Sequence, residues 1–160
     1  MPTLDEVYRK FGETAEAAQL LETQLGTMLL LISGAEGNLF SEADPKRASD
    51  LYRTINRRTL GQLVKSLNNK TPSLEAIEAL LSNALLERNR LFHSFYRLHN
   101  FHRNSDEGRA SMLDDMEAMH DTLLRAYKAV MLLSGVDLEA LIGADVEHNA
   151  PTAHVPILEN

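Results

Sequence analysis

The sequence has no cysteine. That excludes disulfides, thiolate zinc sites and cysteine nucleophiles, and it suits a reducing cytoplasm. Long apolar runs are also missing. The longest, Met28 to Ile32, falls far short of the ~20 residues a membrane-spanning helix needs. The start, Met1-Pro2-Thr3-Leu4-Asp5-Glu6, is acidic and is not followed by the apolar core of a signal peptide. There is no glycine-rich phosphate loop and no His-Glu-x-x-His pattern. No segment alternates with the period of a strand, and no repeat or low-complexity tract is present. These absences lead us to expect a cytoplasmic protein with no membrane contact, no cofactor and no metal.

What is present is ordinary globular material. With 160 residues, 44% apolar and 24% charged, the chain is long enough for one domain with a real core. Net charge is −7, which opposes nucleic-acid binding for the chain as a whole, but its distribution is uneven. From Leu51 to Arg109 there are ten Lys/Arg against five Asp/Glu, and the remainder carries six against eighteen. A basic middle segment in an acidic chain can present a local anion-attracting face, although helices with solvated charges give the same count.

Periodicity predicts helices throughout. Thr3 with Glu6 reads as a capping box. Apolar spacings of three and four then run from Leu4 to Ile32 and end at Gly34, a helix of about 45 Å at 1.5 Å per residue. Gly12 and Gly26 lie inside it and suit either close packing or a helix contact in a dimer. Asp44-Pro45 starts a second pattern over 45–68. It breaks at Asn56-Arg57-Arg58, where Thr59 and Gln62 suggest another capping box. Thr71-Pro72 starts a third, with Leu74, Ile77, Leu81, Leu85, Arg88, Phe92 and Phe95 in one stripe. A turn over Asn100–Asn104 leads to a fourth, capped by Ser105 or Asn104. Its seam is Met112, Met116, Met119, Leu123, Ala126, Val130 and Leu133, closed by Gly135. This methionine row reads as core packing, with an adaptable binding groove as the alternative. Residues 137–142 suggest a short fifth helical segment. The expectation is all-α: an antiparallel four-helix bundle over residues 1–144 and a flexible tail over 145–160.

Chemistry concentrates in Leu86 to Tyr96. Arg88 falls in an apolar row, and a buried arginine needs a partner. Asn89, His93 and Tyr96 share another side of the helix. Arg88 and His93 are separated by about 500° of helix turn, so they point ~140° apart and do not converge within one chain unless the helix deforms. Two copies about a two-fold axis could bring Arg88 of one to His93 of the other. If the third and fourth helices pair about residues 101–104, Arg88 falls level with Glu117 and near His120, while His93 falls near Arg109 and Met112. Glu117 is then the expected partner of Arg88 and His120 an accessory group. His99-x-x-His102 has the residue types of a metal pair, but no carboxylate sits at helical spacing within it.

The run Arg88-Asn89-Arg90-Leu91-Phe92-His93 resembles the signature of the HEPN superfamily (higher eukaryote and prokaryote nucleotide-binding domain). That signature is an arginine, usually a polar residue after it, and a histidine late in the third helix of a small helical bundle. In layout the resemblance covers residues 3 to 134, and its specific part is six residues. It implies a metal-independent endoribonuclease acting as a homodimer in a toxin–antitoxin, phage-defence or RNA-processing setting, with RNA and a cognate antitoxin or defence protein as partners. His93 would be the general acid/base assisting attack of the ribose 2′-hydroxyl on the adjacent phosphate. Arg88 would stabilise the charge developing on phosphorus, and Asn89 would orient the site. Arg90 and Tyr96 join Glu117 and His120 as substrate-binding or accessory candidates. A toxin subgroup paired with a nucleotidyltransferase antitoxin carries a tyrosine two residues after the histidine. Here that residue is Phe95, so regulation by tyrosine modification is not carried over. Some members of the superfamily bind nucleotides or proteins without cleaving RNA, which leaves a non-catalytic binding module as the alternative.

Overall fold

The computed structural model describes residues 1–39, 41–42, 44–70 and 77–135. Among these the protein is all-α, with six α-helices: α1 (Leu4–Glu36), α2 (Pro45–Asn56), α3 (Leu60–Asn68), α4 (Glu78–His93), α5 (Phe95–Leu98) and α6 (Asp106–Leu133). A 3₁₀ turn, His102–Asn104, precedes α6. The fifth segment expected at 137–142, the tail from 145 and the Thr71-Pro72 start lie outside the described residues.

The helix starts follow local chemistry. Thr3 accepts from the Glu6 amide at 3.2 Å while Glu6 accepts from the Thr3 amide at 2.7 Å, closing the capping box. Asp44 caps α2 through the Arg47 amide at 3.0 Å, with Pro45 in the first turn. Ser105 caps α6 through the Gly108 amide at 3.1 Å. The break in the second pattern is real: α2 stops at Asn56, and Gln62 accepts from the Thr59 amide at 2.9 Å to start α3. At its far end α1 runs two residues beyond Gly34, to Glu36. The chain then turns at Asn38, which takes the left-handed conformation (φ 55°) that asparagine tolerates better than most residues.

Two buried clusters hold these helices together. In one, Val7 of α1 meets Leu91 of α4, Phe95 of α5, and Met112, Met116 and Met119 of α6. The other gathers α1 from Ala17 to Leu29 with Ile55, Leu60, Leu63, Leu67, Leu81, Ala84, Leu123, Ala126 and Val130. The methionine row is therefore core. Leu133, expected to end that seam, is 38% exposed.

Contacts along the helices give their directions. Phe11 stacks near Phe95 while Glu22 meets Arg88, so α4 runs antiparallel to α1. Leu91 and Phe95 pack with the start of α6 and Leu81 and Ala84 with its end, so α4 is also antiparallel to α6. Lys10 pairs with Glu117 and Gln24 donates to Ser134 at 3.0 Å, so α1 and α6 run parallel. The reversal added between α2 and α3 accounts for this: the chain changes direction once more than four alternating helices would. Gly12 and Gly26 are not needed for close packing within the chain. A Cβ on Gly12 would touch nothing within 4 Å, and one on Gly26 would meet Ile55 at an ordinary 3.6 Å.

Candidate functional site

The stretch from Leu86 to Tyr96 does not form one continuous helix. α4 ends at His93, Ser94 leaves the helical conformation (φ −137°, ψ −11°), and α5 begins at Phe95. Ser94 donates its hydroxyl to the Arg90 carbonyl at 3.1 Å, offering the backbone a local alternative to the helix. The core row of this region is Leu81, Ala84, Leu91 and Phe95. The expected stripe through Arg88 and Phe92 is thus displaced, and Phe92 is 41% exposed.

Arg88 lies at the flank of the core, its side chain 21% exposed. Its Nε donates to Glu22 Oε1 of α1 at 2.9 Å, and its Nη1 donates to Asn89 Oδ1 at 3.3 Å. The guanidinium also sits 5.1 Å from the centroid of the Phe92 ring, within cation–π range. The expected partner, Glu117, is a correction: it pairs with Lys10 instead, and that ammonium holds its carboxyl below the usual range. The α4–α6 register was not at fault, because Arg90 meets Asp115 at the level a hairpin about residues 101–104 requires. What differs is the side: Arg88 opens into the groove toward α1, not toward α6.

His93 is exposed and makes no hydrogen bond or ion pair among the described residues. Asn89 is also exposed. Tyr96, on α5, packs its ring 5.5 Å from Phe11 and edge-on to Phe95 at 5.3 Å. Burial, then the neighbouring Tyr8, pushes its phenol above the usual value. His120 groups with Glu117 and Asp121, their ligand atoms within 4.8 Å of one another. The ammonium of Lys10 already takes the Glu117 carboxylate, so this trio offers little to a cation.

A second polar group contains the His99-x-x-His102 pair noted in the sequence, but its carboxylate and its link to Arg90 escaped that reading. His99 is buried, and its Nε2 lies 2.8 Å from Asp115 Oδ2 while its Nδ1 lies 2.8 Å from His102 Nδ1. With a neutral ring, Nε2–H donates to the carboxylate, which leaves Nδ1 to accept from His102. Asp115 also pairs with Arg90, and Arg90 Nε lies 3.3 Å from Glu87 Oε2. Those last two atoms are buried without hydrogen-bond geometry, so their attraction is Coulombic only. Arg90 is thus committed to this network. The carboxylate absent from the local His-x-x-His spacing comes from α6, a partner that spacing along the chain cannot reveal. One signal was available in Gly108. A Cβ there would lie 2.6 Å from the His102 Cα, so only glycine lets the 3₁₀ turn press against α6 and bring His102 to His99.

No family model matches the chain, and neither a curated protein nor a solved structure does. No helix among the described residues is long and apolar enough to cross a membrane.

Proposed function

We infer that the protein is a metal-independent endoribonuclease of the HEPN type, working in the cytoplasm as a homodimer whose composite site takes Arg88, Asn89 and His93 from each copy. The scaffold this supposes is a four-layer helical bundle in which the α2–α3 pair counts as one layer. The observation that carries the reading is the end of α4. His93 is its last residue, exposed and unengaged among the described residues, little more than one turn after an arginine whose guanidinium is oriented by Glu22, Asn89 and Phe92. His93 would take the proton from the ribose 2′-hydroxyl. The 2′-oxygen would bond to phosphorus as the bond to the 5′-oxygen breaks. The products are a 2′,3′-cyclic phosphate and a 5′-hydroxyl, whose proton comes from water. Arg88 would face the phosphoryl oxygens. A toxin–antitoxin or phage-defence role, with a cognate protein partner, goes with this chemistry.

One observation favours a second reading, a non-catalytic helical module that binds a protein or nucleotide. Arg88 already has an anionic partner in Glu22. The two readings separate on single-stranded RNA in EDTA. The nuclease yields cyclic-phosphate ends, and His93→Ala lowers the rate by about 10²-fold or more. Equal cleavage by wild type and His93→Ala would make the activity a contaminant and leave the module.

A further inference from the structure

The elbow between α2 and α3 carries an open, shallow cleft of about 470 Å³ lined by Thr54, Arg57, Arg58, Gln62, Lys65 and Ser66. Three of these are cations and none is a carboxylate. In a chain with 23 acidic residues against 16 basic ones, that composition is unusual. Elsewhere Arg9, Lys10, Arg53, Lys70, Arg88, Arg90 and Arg109 each meet a carboxylate, while Lys46, Arg47, Arg97, Arg103 and Arg125 meet none among the described residues but do not gather in one cleft. In the cleft, the side chains of Arg57 and Lys65 have no hydrogen bond or ion pair among the described residues.

Hydrogen bonding leaves this cleft with an excess of donors. Arg58 spends one N–H on Ser66 Oγ at 2.6 Å, which fixes the guanidinium, and Ser66 donates on to the Gln62 carbonyl at 2.7 Å. The side-chain oxygen of Gln62 is used in the α3 cap, so its amide N–H groups are what remains. Thr54 donates its proton to the Asp50 carbonyl at 2.8 Å. Such a site is complementary to phosphate oxygens, which only accept.

One residue of the cleft, Arg58, is shared with a groove whose wall includes the partner of Arg88. Arg58 lines a second, larger groove of about 690 Å³ between α1 and the elbow, along with Glu22, Thr23, Gly26, Tyr52 and Asn56. Glu22 is the residue that holds Arg88. Tyr52, 54% exposed, offers a ring on which an unpaired base can stack. Gly26 keeps its stretch of the groove free of a side chain.

We propose that the α2–α3 cleft binds backbone phosphate of single-stranded RNA, and that the adjoining groove carries the strand past Tyr52 to Arg88. The proposal deepens the ribonuclease reading by giving its substrate a path, and it is tested by binding, without cleavage. The probe is fluorescein-labelled oligouridine, followed by anisotropy in EDTA on protein carrying His93→Ala. Adding Arg57→Ala and Lys65→Ala should weaken binding at least tenfold. It should also make the slope of log K against log salt shallower by about 1.4, since each single-strand phosphate contact contributes ~0.7. Arg9→Ala with Lys46→Ala removes the same charge elsewhere and should have a clearly smaller effect. Both pairs are exposed, and circular dichroism checks that each variant is folded. Equal losses in the two pairs would overturn the proposal. Displacement of the RNA by micromolar inorganic phosphate would also overturn it, making the cleft a free-phosphate site. A chain that binds through the cleft but fails to cleave would sink the nuclease reading alone. A chain that cleaves in a His93-dependent way with the cleft irrelevant would sink only this one.

Discussion

Arg88 of α4 and Glu22 of α1 form an ion pair at 2.9 Å, each about a quarter exposed, and Glu22 is also part of the groove wall. The same carboxylate therefore restrains the candidate phosphate-binding arginine and occupies the place a phosphate would want. Glu22→Gln should lower stability by about 1–2 kcal/mol, between an exposed pair and a fully buried one. It should also tighten RNA binding severalfold. A urea melt and anisotropy on labelled oligouridine read the two effects. A loss of stability with no gain in affinity would make the pair purely structural.

Asp115 serves two cationic or donor groups at once, Arg90 and His99. Asp115→Ala would leave the buried His99 Nε2–H without an acceptor and Arg90 with only the poorly aligned Glu87. We expect a loss of about 2–4 kcal/mol, seen as a lower urea midpoint with an unchanged slope. Asp115→Asn keeps the shape and one acceptor, and should lose less.

Gly108 is required by contact rather than by conformation. Gly108→Ala should push the 3₁₀ turn away from α6 at a cost of about 1–3 kcal/mol, the usual range for overpacking. The imidazole signals of His99 and His102 in NMR should shift while helix content by circular dichroism is kept. Gly12→Ala, where a Cβ meets nothing, should be neutral or slightly stabilising in the monomer. If it instead breaks a dimer, Gly12 lies in the interface.

Tyr96 ionises late because burial, and then the neighbouring Tyr8, disfavours phenolate. The sign follows from linkage: the unfolded chain loses this proton first, near pH 10, and is stabilised by doing so. Tyr96 therefore supports the fold fully below that pH. Its contribution falls as pH rises until the folded phenol itself ionises. Absorbance at ~295 nm should resolve one late tyrosine, and Tyr96→Phe should remove it and flatten the alkaline loss of stability.

What the chain reveals without its structure is mostly local. Thr3 with Glu6, Asp44 before Pro45, Thr59 with Gln62 and Ser105 all cap helices within four residues, so sequence distance and spatial distance coincide. The methionine row of α6 was readable for the same reason: one face of one helix has a fixed period. The α4–α6 level was also readable, as Arg90 and Asp115 show. The partner of Arg88 was not. A residue at the flank of a helix faces one of two grooves, and periodicity gives its angle to about a residue's width but not the identity of the helix across each groove. Phe95 stayed in the buried row as its spacing required, whereas Phe92, placed in the same stripe, is 41% exposed. The His99 network combines a turn, a glycine-dependent contact and a carboxylate sixteen residues away, none of which leaves a periodic trace.

The parallel pairing of α1 and α6 sets the order in which this protein can mature. Hydrogen bonds joining the two helices and the residues that flank them, from Arg109 to the Pro2 carbonyl, Thr14 to the Met116 carbonyl and Gln24 to Ser134, span 107, 102 and 110 residues of chain. Adjacent helices can zip together as they are made, but this pair closes the largest loop in the fold and therefore bears its heaviest entropic penalty. On the ribosome, the apolar flank of α1 has to wait, uncovered by α6, while more than a hundred further residues are synthesised. In that interval, association of nascent chains and protection by chaperones compete for the same surface.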